Sequence, residues 1–285
     1  MDFPNNNNDI SEAYLKTVLL HRNNDTHKRD YGHALLVCGC RRMPGAAVLA
    51  TGGALRSGCG LVTLHTVANA GTAVAGRFPS AILSLEEGEC FATVPEGLSK
   101  YSCIGIGPGL GTQGCTAEAL EAILKEAGGT PFVLDADALN IMAADPQLLG
   151  LVPEGSVMTP HSGELKRLIP EWEEGREGLL MDFCRNTGIV LVKKGYRTRI
   201  FTPEGDVFVN TTGNPGMAKG GSGDVLTGLV TGLVARGYDT LTAAMLGVWI
   251  HGYAGDCLAR ECTAEAYDSA DLIERLKEGF VKLYI

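Results

Sequence analysis

Short apolar runs that end in glycine- or carboxylate-rich turns, each followed by a helical pattern, recur along most of this chain. Apolar runs of about four to eight residues between turn residues are typical of buried strands. Because helices separate successive strands, the alternation predicts parallel pairing. We therefore expect an α/β fold with a mostly parallel central sheet and helices on both faces. In such a sheet, ligands bind outside the carboxyl ends of the strands.

The individual elements follow from the apolar pattern. Strands are expected at Ala34–Cys38, Leu61–Thr66, Ser102–Ile106, Phe132–Leu134, Val157–Thr159, Ile189–Lys193, Thr198–Thr202 and Val207–Asn210. The last two flank a short turn and so predict a hairpin. Helices are expected at Gly45–Ser57, Thr116–Ala127, Gly223–Arg236 and from Thr240 to about Ala259.

Length and charge limit the possible classes of protein. The 285 residues contain no low-complexity linker, so we expect one domain at 25–285 behind an N-terminal lead-in at 1–24, with Asn5–Asn8 as a frayed tail. Lys and Arg number 24 against 33 Asp and Glu, and the net charge of −9 disfavours binding to nucleic acid. No apolar run reaches the roughly 18 residues of a membrane span, and the first residues do not resemble a signal peptide.

The cysteines favour a reducing environment. There are nine, with no Cys-x-x-Cys pair and no Cys/His spacing suited to zinc. Cys38 and Cys40 stand too close together in one expected strand to bridge easily. We expect buried free thiols and a cytoplasmic location.

The most informative segment is Gly213–Leu226, where closely spaced glycines precede a long apolar helix. Backbone N–H groups at such a helix start would form an anion hole, here from Gly220, Gly221, Ser222 and Gly223. Asp224 would repel a phosphate there unless it takes a proton from an attacking hydroxyl. The alternative is a helix cap. With the glycines ahead of it, we favour a catalytic base.

Other strand ends carry candidate ligand-binding residues. Gly107–Gly111 does not fit a dinucleotide fingerprint, and it is either a ligand contact or a tight turn. Asp135 and Asp137 could serve a metal ion or a ribose hydroxyl, or simply form a turn. Lys194, with Thr198 four residues later, could reach a nucleotide, although a solvated hairpin turn would look the same.

His161 and Glu164 follow another expected strand. If a helix begins near Ser162, both residues lie at its first turn and face the crevice. Glu164 could hold Mg²⁺ through water, and an acid that caps the helix is equally compatible with the spacing. A single histidine is more often structural than catalytic.

Together these segments resemble the ADP-dependent (S)-NAD(P)H-hydrate dehydratases. The resemblance covers roughly residues 25–260 and is most specific at Gly-Asn-Pro-Gly-Met-Ala-Lys-Gly-Gly-Ser-Gly-Asp-Val-Leu. The other matching segments are Pro-Gly-Ala-Ala at 44–47, Ala-Leu-Arg-Ser-Gly-Cys-Gly-Leu-Val-Thr at 54–63, Gly-Pro-Gly-Leu-Gly at 107–111, Leu-Asp-Ala-Asp-Ala-Leu-Asn at 134–140, Thr-Pro-His with Glu at 159–164, and Lys-Gly with Thr at 194–198. One departure is Cys40, which follows Gly39 where the family commonly has Gly-Ser.

This resemblance implies a ribokinase-like fold and a lyase of metabolite repair. Such enzymes use ADP, or ATP in some lineages, with Mg²⁺ to dehydrate the S-epimer of hydrated NADH or NADPH (NADHX or NADPHX). When ADP is used, AMP and phosphate are released. It also implies a homo-oligomer and, as a functional partner, an epimerase that is fused to the dehydratase in many bacteria.

Site roles are likewise implied by the resemblance. The residues expected to contact the hydrated nucleotide are Ala46, Ala47, Gly109, His161 and Asp224, of which Asp224 suits the base. Those expected to contact the adenosine nucleotide are Lys194, Gly195, Tyr196, Arg197, Thr198 and Gly223.

Two other functions would use the same residues. A kinase acting on a small alcohol, such as a vitamin precursor, needs the same base and anion hole. A nucleotide sensor would bind without turnover, and the presence of both Asp224 and His161 argues against it.

Overall fold

A computed structural model describes residues 8–285 of the chain. Its strands are β1 Asp9–Ile10, β2 His33–Val37, β3 Leu61–Val67, β4 Ile82–Glu86, β5 Cys103–Ile106, β6 Phe132–Leu134, β7 Val157–Met158, β8 Val190–Lys193, β9 Arg199–Phe201 and β10 Val207–Asn210. Within the described residues they form one ten-stranded sheet in the order β1-β10-β9-β8-β7-β6-β5-β2-β3-β4.

Strand pairing in this sheet is mostly parallel, as the alternating pattern predicts. Every neighbouring pair from β4 across to β8 is parallel. The exceptions are the antiparallel pairs β8–β9 and β9–β10, and the predicted hairpin between the last two is confirmed. Its turn is closed by hydrogen bonds between Thr202 and Asp206.

Helices cover both faces of the sheet. They are α1 Glu12–Thr17, α2 Pro44–Leu55, α3 Ala68–Arg77, α4 Gly114–Glu126, α5 Ala136–Ala144, α6 Ser162–Leu168, α7 Glu177–Thr187, α8 Ser222–Ala235, α9 Thr240–Ala266 and α10 Ser269–Tyr284. Alternate residues of β2 point into two separate cores: Ala34 and Leu36 pack with α2, α8 and α9, whereas Leu35 and Val37 pack with α4 and α5. Both faces of the sheet are therefore buried.

Several expected boundaries need correction. The first of the predicted strands ends at Val37, so Cys38 already lies in the following loop. The helix that begins at Thr240 continues to Ala266, with non-helical backbone angles at Cys262 and Thr263. Most of the expected tail at Asn5–Asn8 lies outside the described residues, but the Asn8 carbonyl accepts a hydrogen bond from Val209, next to the β1–β10 pair.

The expectation that the thiols are buried is wrong for five of the nine cysteines. Cys38, Cys40, Cys103 and Cys184 are buried. The others are partly or fully exposed because they lie in loops or on outer helix faces: Cys59, Cys90, Cys115, Cys257 and Cys262. Among the described helices, none is both long and apolar enough to span a bilayer.

Candidate active site

Helices α2 and α8 begin side by side at the carboxyl edge of the sheet. They pack so closely that a side chain at Gly228 of α8 would overlap the backbone of Ala50, and one at Gly53 of α2 would overlap the carbonyl of Val225. Glycine is required at both contacts because any Cβ would force the helices apart. The two helices therefore run side by side, and the unpaired N–H groups at the start of α8 favour anions.

A cavity of about 750 Å³ opens beside the start of α8. It brings together three segments that are far apart in the sequence, namely Gly221–Asp224, His161 and Lys194–Thr198. The connection between β10 and α8 and one face of α9 complete its wall. The predicted site residues that do not line it are Ala46, Ala47, Gly107–Gly111, Asp137, Glu164 and Gly220.

The loop before α8 leaves several N–H groups available. Gly221, at the N-cap, has a positive φ of 89°, a conformation that favours glycine. The N–H of Ser222 points to the Lys219 carbonyl at 3.4 Å, so this member of the predicted anion hole is partly occupied. Within the described residues, no acceptor is found for the N–H groups of Gly220, Gly221 and Gly223.

Asp224 is the third residue of α8 and lies in the cavity wall. It makes no capping bond, and no described residue donates a hydrogen bond to its carboxylate, so the capping alternative is not what the structure shows. Burial raises the pKa of Asp224 to about 6, helped by the negative charge of Asp135 and opposed by Lys194. A carboxylate of this kind is ionised at neutral pH and still accepts a proton readily.

Lys194 and Asp135 form an ion pair next to Asp224. The Lys194 Nζ lies 2.6 Å from Oδ1 of Asp135, while Oδ2 accepts a hydrogen bond of 2.7 Å from Thr227. Asp135 is 1% exposed and both its oxygens are engaged. Lys194 is therefore not part of a solvated turn, because its side chain points inward to this carboxylate.

Because Gly223 has no side chain, the ammonium group of Lys194 can lie close to the backbone of α8. A Cβ at position 223 would lie 3.1 Å from Nζ of Lys194 and 3.5 Å from Oδ2 of Asp135. The ammonium group therefore lies directly over the first turn of α8, beside the open N–H groups. A cation and helix-end amides that face the same space form a binding site for phosphate oxygens.

His161 and Glu164 form a reciprocal cap at the start of α6, where a helix was expected near Ser162. Nδ1 of His161 accepts hydrogen bonds from the N–H groups of Gly163 and Glu164, and the Glu164 carboxylate accepts from the His161 N–H at 2.8 Å. Burial raises the pKa of Glu164, with Lys194 opposing. The capping role of Glu164 is thus satisfied, and its second carboxylate oxygen, Oε1, lies 3.3 Å from Nε2 of His161.

The Gly107–Gly111 turn rests on the start of α2. Asp137 accepts a hydrogen bond of 2.8 Å from the Gly111 N–H, which fixes the end of this turn. Gly109 has a positive φ of 62°, and a Cβ there would lie 2.7 Å from that of Ala46. Gly109 and Ala46 are therefore neighbours.

The sequence analysis missed Thr227 and His251. Thr227 lies one helical turn after Asp224, and this spacing could have identified it as a residue on the same face. His251 of α9 is buried behind Ser222, and burial lowers its pKa to about 4, so it is neutral at physiological pH.

Among the described residues, no group of three or more His, Cys, Asp or Glu side chains could hold a metal ion. Asp135 is occupied by Lys194 and Thr227, and Glu164 by the cap. A Mg²⁺ ion that enters with a nucleotide would be held mainly by phosphate oxygens and water, as Mg²⁺ commonly is.

The chain is similar to known proteins along most of its length. The family model described as NAD(P)H-hydrate dehydratase matches residues 34–278. A curated ADP-dependent (S)-NAD(P)H-hydrate dehydratase from Bacillus subtilis is 32% identical over 277 residues, which cover 95% of this chain and 98% of the relative. The bifunctional NAD(P)H-hydrate repair enzyme Nnr of Moorella thermoacetica is 36% identical over 94% of this chain, which spans about half (52%) of that relative.

Solved structures show the same fold. The ADP/ATP-dependent NAD(P)H-hydrate dehydratase from Bacillus subtilis, co-crystallised with ATP and Mg²⁺, superposes with a TM-score of 0.84 at 29% identity, covering 98% of this chain and 99% of that one. A ribokinase-like superfamily protein from Enterococcus faecalis superposes with a TM-score of 0.82 at 27% identity, covering 95% of each chain. The expected ribokinase-like fold is thereby confirmed.

Proposed function

The chain belongs to the NAD(P)H-hydrate dehydratase family, and we propose that it converts the S-epimer of hydrated NADH or NADPH back to NADH or NADPH at the expense of ADP or ATP. The observation that carries this proposal is Asp224, a carboxylate of raised pKa without a hydrogen-bonding partner among the described residues. It stands beside an ammonium group and open amides in one cavity.

The nucleotide would bind along the Lys194–Thr198 turn and Gly223. Lys194 would meet the phosphates, and its pairing with Asp135 holds it in place. The exposed Tyr196 offers a flat surface for the adenine or ribose. The N–H groups at the start of α8 would stabilise the charge that develops on the transferred phosphoryl group.

The hydrated nicotinamide would lie between the Gly109–Ala46 contact and Asp224, with His161 at its edge. Asp224 would remove the proton of the ring hydroxyl as that oxygen attacks the terminal phosphorus. The ring nitrogen's lone pair then expels phosphate, and loss of a neighbouring proton restores the dihydropyridine. With ADP the products are NADH or NADPH, AMP and phosphate.

Magnesium on the nucleotide would neutralise part of the phosphate charge. Glu164, which the sequence suggests as a ligand through water, is 5% exposed and occupied by its cap. It would therefore act only through an intervening water molecule.

The relatives favour this reaction over a plain small-molecule kinase, because they carry dehydratase names. The test is incubation with NADHX, Mg²⁺ and either ADP or ATP, following the absorbance of reduced nicotinamide and the release of phosphate. We expect both to rise together in equal amounts. A stable phosphorylated alcohol would identify a kinase, and binding without turnover would identify a sensor.

We further propose that residues 25–285 act as one domain, and that the protein is a cytoplasmic homo-oligomer. Because bifunctional relatives combine two activities in one chain, an epimerase of the hydrate is the expected functional partner.

A further inference from the structure

Two thiols meet on the surface near the Gly107–Gly111 turn. The Sγ atoms of Cys90 and Cys115 are 3.3 Å apart, although the residues are separated by 25 positions in the chain. Cys90 lies in the loop between β4 and β5 and is partly exposed, whereas Cys115, in the first turn of α4, is exposed. No other Sγ–Sγ contact is found among the described cysteines.

We propose that Cys90 and Cys115 form a reversible disulfide that alters the rim of the hydrated-nucleotide side of the site. A disulfide bond is about 2.05 Å long, so the two Sγ atoms, now 3.3 Å apart, must approach and the segments that carry them become tied together. Both side chains are accessible to a small oxidant. The part of the proposal that concerns substrate binding rests on the proposed function.

One end of this link is attached to the loop that leads into α2. The Glu89 carbonyl, next to Cys90, accepts a hydrogen bond of 2.8 Å from the Arg41 N–H, and the two side chains form an ion pair. Met43, two residues after Arg41, contacts the turn, because a Cβ at Gly109 would lie 3.1 Å from the Met43 Cβ. A link at Cys90 would therefore act on the contact between α2 and Gly109 through these bonds.

The other end is attached to the turn itself. Cys115 follows Gly111 by four residues, and Asp137 holds Gly111 through its N–H. The Pro108 carbonyl accepts a hydrogen bond of 2.8 Å from the Gly39 N–H. A link at Cys115 would pull on a turn that is bonded on both sides, while the Lys194–Thr198 segment lies elsewhere in the site.

The oxidant is a low-molecular-weight disulfide of the glutathione class. The Cys115 thiolate attacks it, forms a mixed disulfide and releases one small thiolate. The Cys90 thiolate then attacks Sγ of Cys115 and releases the second. Two cysteines lose two protons and two electrons, and one small disulfide becomes two thiols.

The experiment treats the full chain with oxidised glutathione at about pH 8.5, since burial and the neighbouring Cys115 raise the pKa of Cys90. Alkylation under denaturing conditions followed by peptide mapping should show a Cys90–Cys115 cross-link. Free thiols should fall from nine to seven, because two are consumed, and a dithiol should restore them. Cys257→Ser, which removes a partly exposed thiol elsewhere, should form the same link, and Cys115→Ser should not.

Kinetics on the oxidised and reduced forms test whether the disulfide alters binding of the hydrated nucleotide. We expect the KM for NADHX to rise roughly threefold or more on oxidation, with the KM for ADP unchanged. If no cross-link forms, or if Cys115→Ser loses the same number of thiols, the proposal of a Cys90–Cys115 disulfide is wrong. A cross-link with an unchanged KM for NADHX overturns its coupling to the rim. If the reduced protein shows no dehydration at all, the proposed function fails, while the cross-link is still judged by mass.

Discussion

Nζ of Lys194 lies 2.6 Å from Oδ1 of Asp135, and this ion pair joins two strand ends that are 59 residues apart in the chain. The arrangement depends on the sheet order β6-β7-β8, which places the end of β8 close to the end of β6. The pair sets the local field of the site, because Asp135 raises the pKa of Asp224 and Lys194 opposes it. In the proposed reaction, nucleotide binding at Lys194 and proton transfer at Asp224 would thereby be linked through one buried contact.

Lys194→Met should weaken nucleotide binding and also destabilise the protein. The variant leaves Asp135 buried without its cation, a loss that typically costs about 3–5 kcal/mol. Adding Asp135→Asn should recover much of this stability, because the buried charge is then gone, while nucleotide binding stays weak. Thermal unfolding and calorimetry with ADP and NADHX separately would show it. An equal loss of affinity for both ligands would contradict the assignment of Lys194 to the nucleotide.

Gly223→Ala should raise the KM for ADP about tenfold or more without lowering stability. The new Cβ would lie 3.1 Å from Nζ of Lys194 and crowd the phosphate position, whereas alanine in a helix normally stabilises by about 0.5–1 kcal/mol. Gly178→Ala is the matched control, because Gly178 is likewise the second residue of its helix and its Cβ would meet no atom within 4 Å. Equal kinetic effects of both substitutions would disprove the crowding argument.

The sheet and most strand positions are predictable from the sequence, and the partners of the site residues are not. Apolar strands buried on both faces, such as Phe132–Leu134, stand out clearly. The edge strand β4 was missed because Ile82 and Leu85 are both largely exposed, and α3 was missed because its apolar residues are mainly alanines. The residues at the strand ends predicted where the candidate site lies. The carboxylate that pairs with Lys194 could not be predicted, because it depends on the order of the strands in the sheet, and the local sequence pattern does not contain that order.

Asp224→Asn should stabilise the protein at neutral pH while it strongly reduces turnover. The folded-state pKa of Asp224 is raised from 3.8 to about 6, so the folded protein binds this proton more tightly than the unfolded chain. The ionised carboxylate is therefore unfavourable above about pH 6, and we expect the variant to gain about 1–3 kcal/mol there. Well below pH 3.8, where the carboxyl is protonated in both states, the gain should vanish. Denaturant unfolding at about pH 7.5 and about pH 3 measures it.

Asp224→Asn should also lower kcat, an effect that is measured separately from its effect on stability. Loss of a general base typically costs about 10²–10⁴ in kcat. The Asn side chain keeps the volume, and since Gly221 rather than Asp224 is the N-cap, ADP affinity should survive. Near-normal turnover by Asp224→Asn would remove Asp224 from the reaction.

His161→Gln should mainly raise the KM for NADHX and leave the shape of the pH profile unchanged. Nδ1 of His161 accepts two backbone hydrogen bonds at the cap of α6, and Nε2 lies 3.3 Å from Oε1 of Glu164. A ligand would therefore meet the ring only at Nε2, in competition with Glu164, and glutamine can still donate a hydrogen bond there. Imidazoles ordinarily titrate near pH 6.5, which overlaps the range in which Asp224 loses its proton. A limb near pH 6 in the wild-type profile of kcat/KM therefore does not by itself identify the base.

The base is identified by comparing the pH profiles of the wild type and His161→Gln. If Asp224 is the base, activity falls as pH drops through about 6 in both proteins. If kcat collapses in the variant with KM unchanged and the limb disappears, the proton passes through His161 instead.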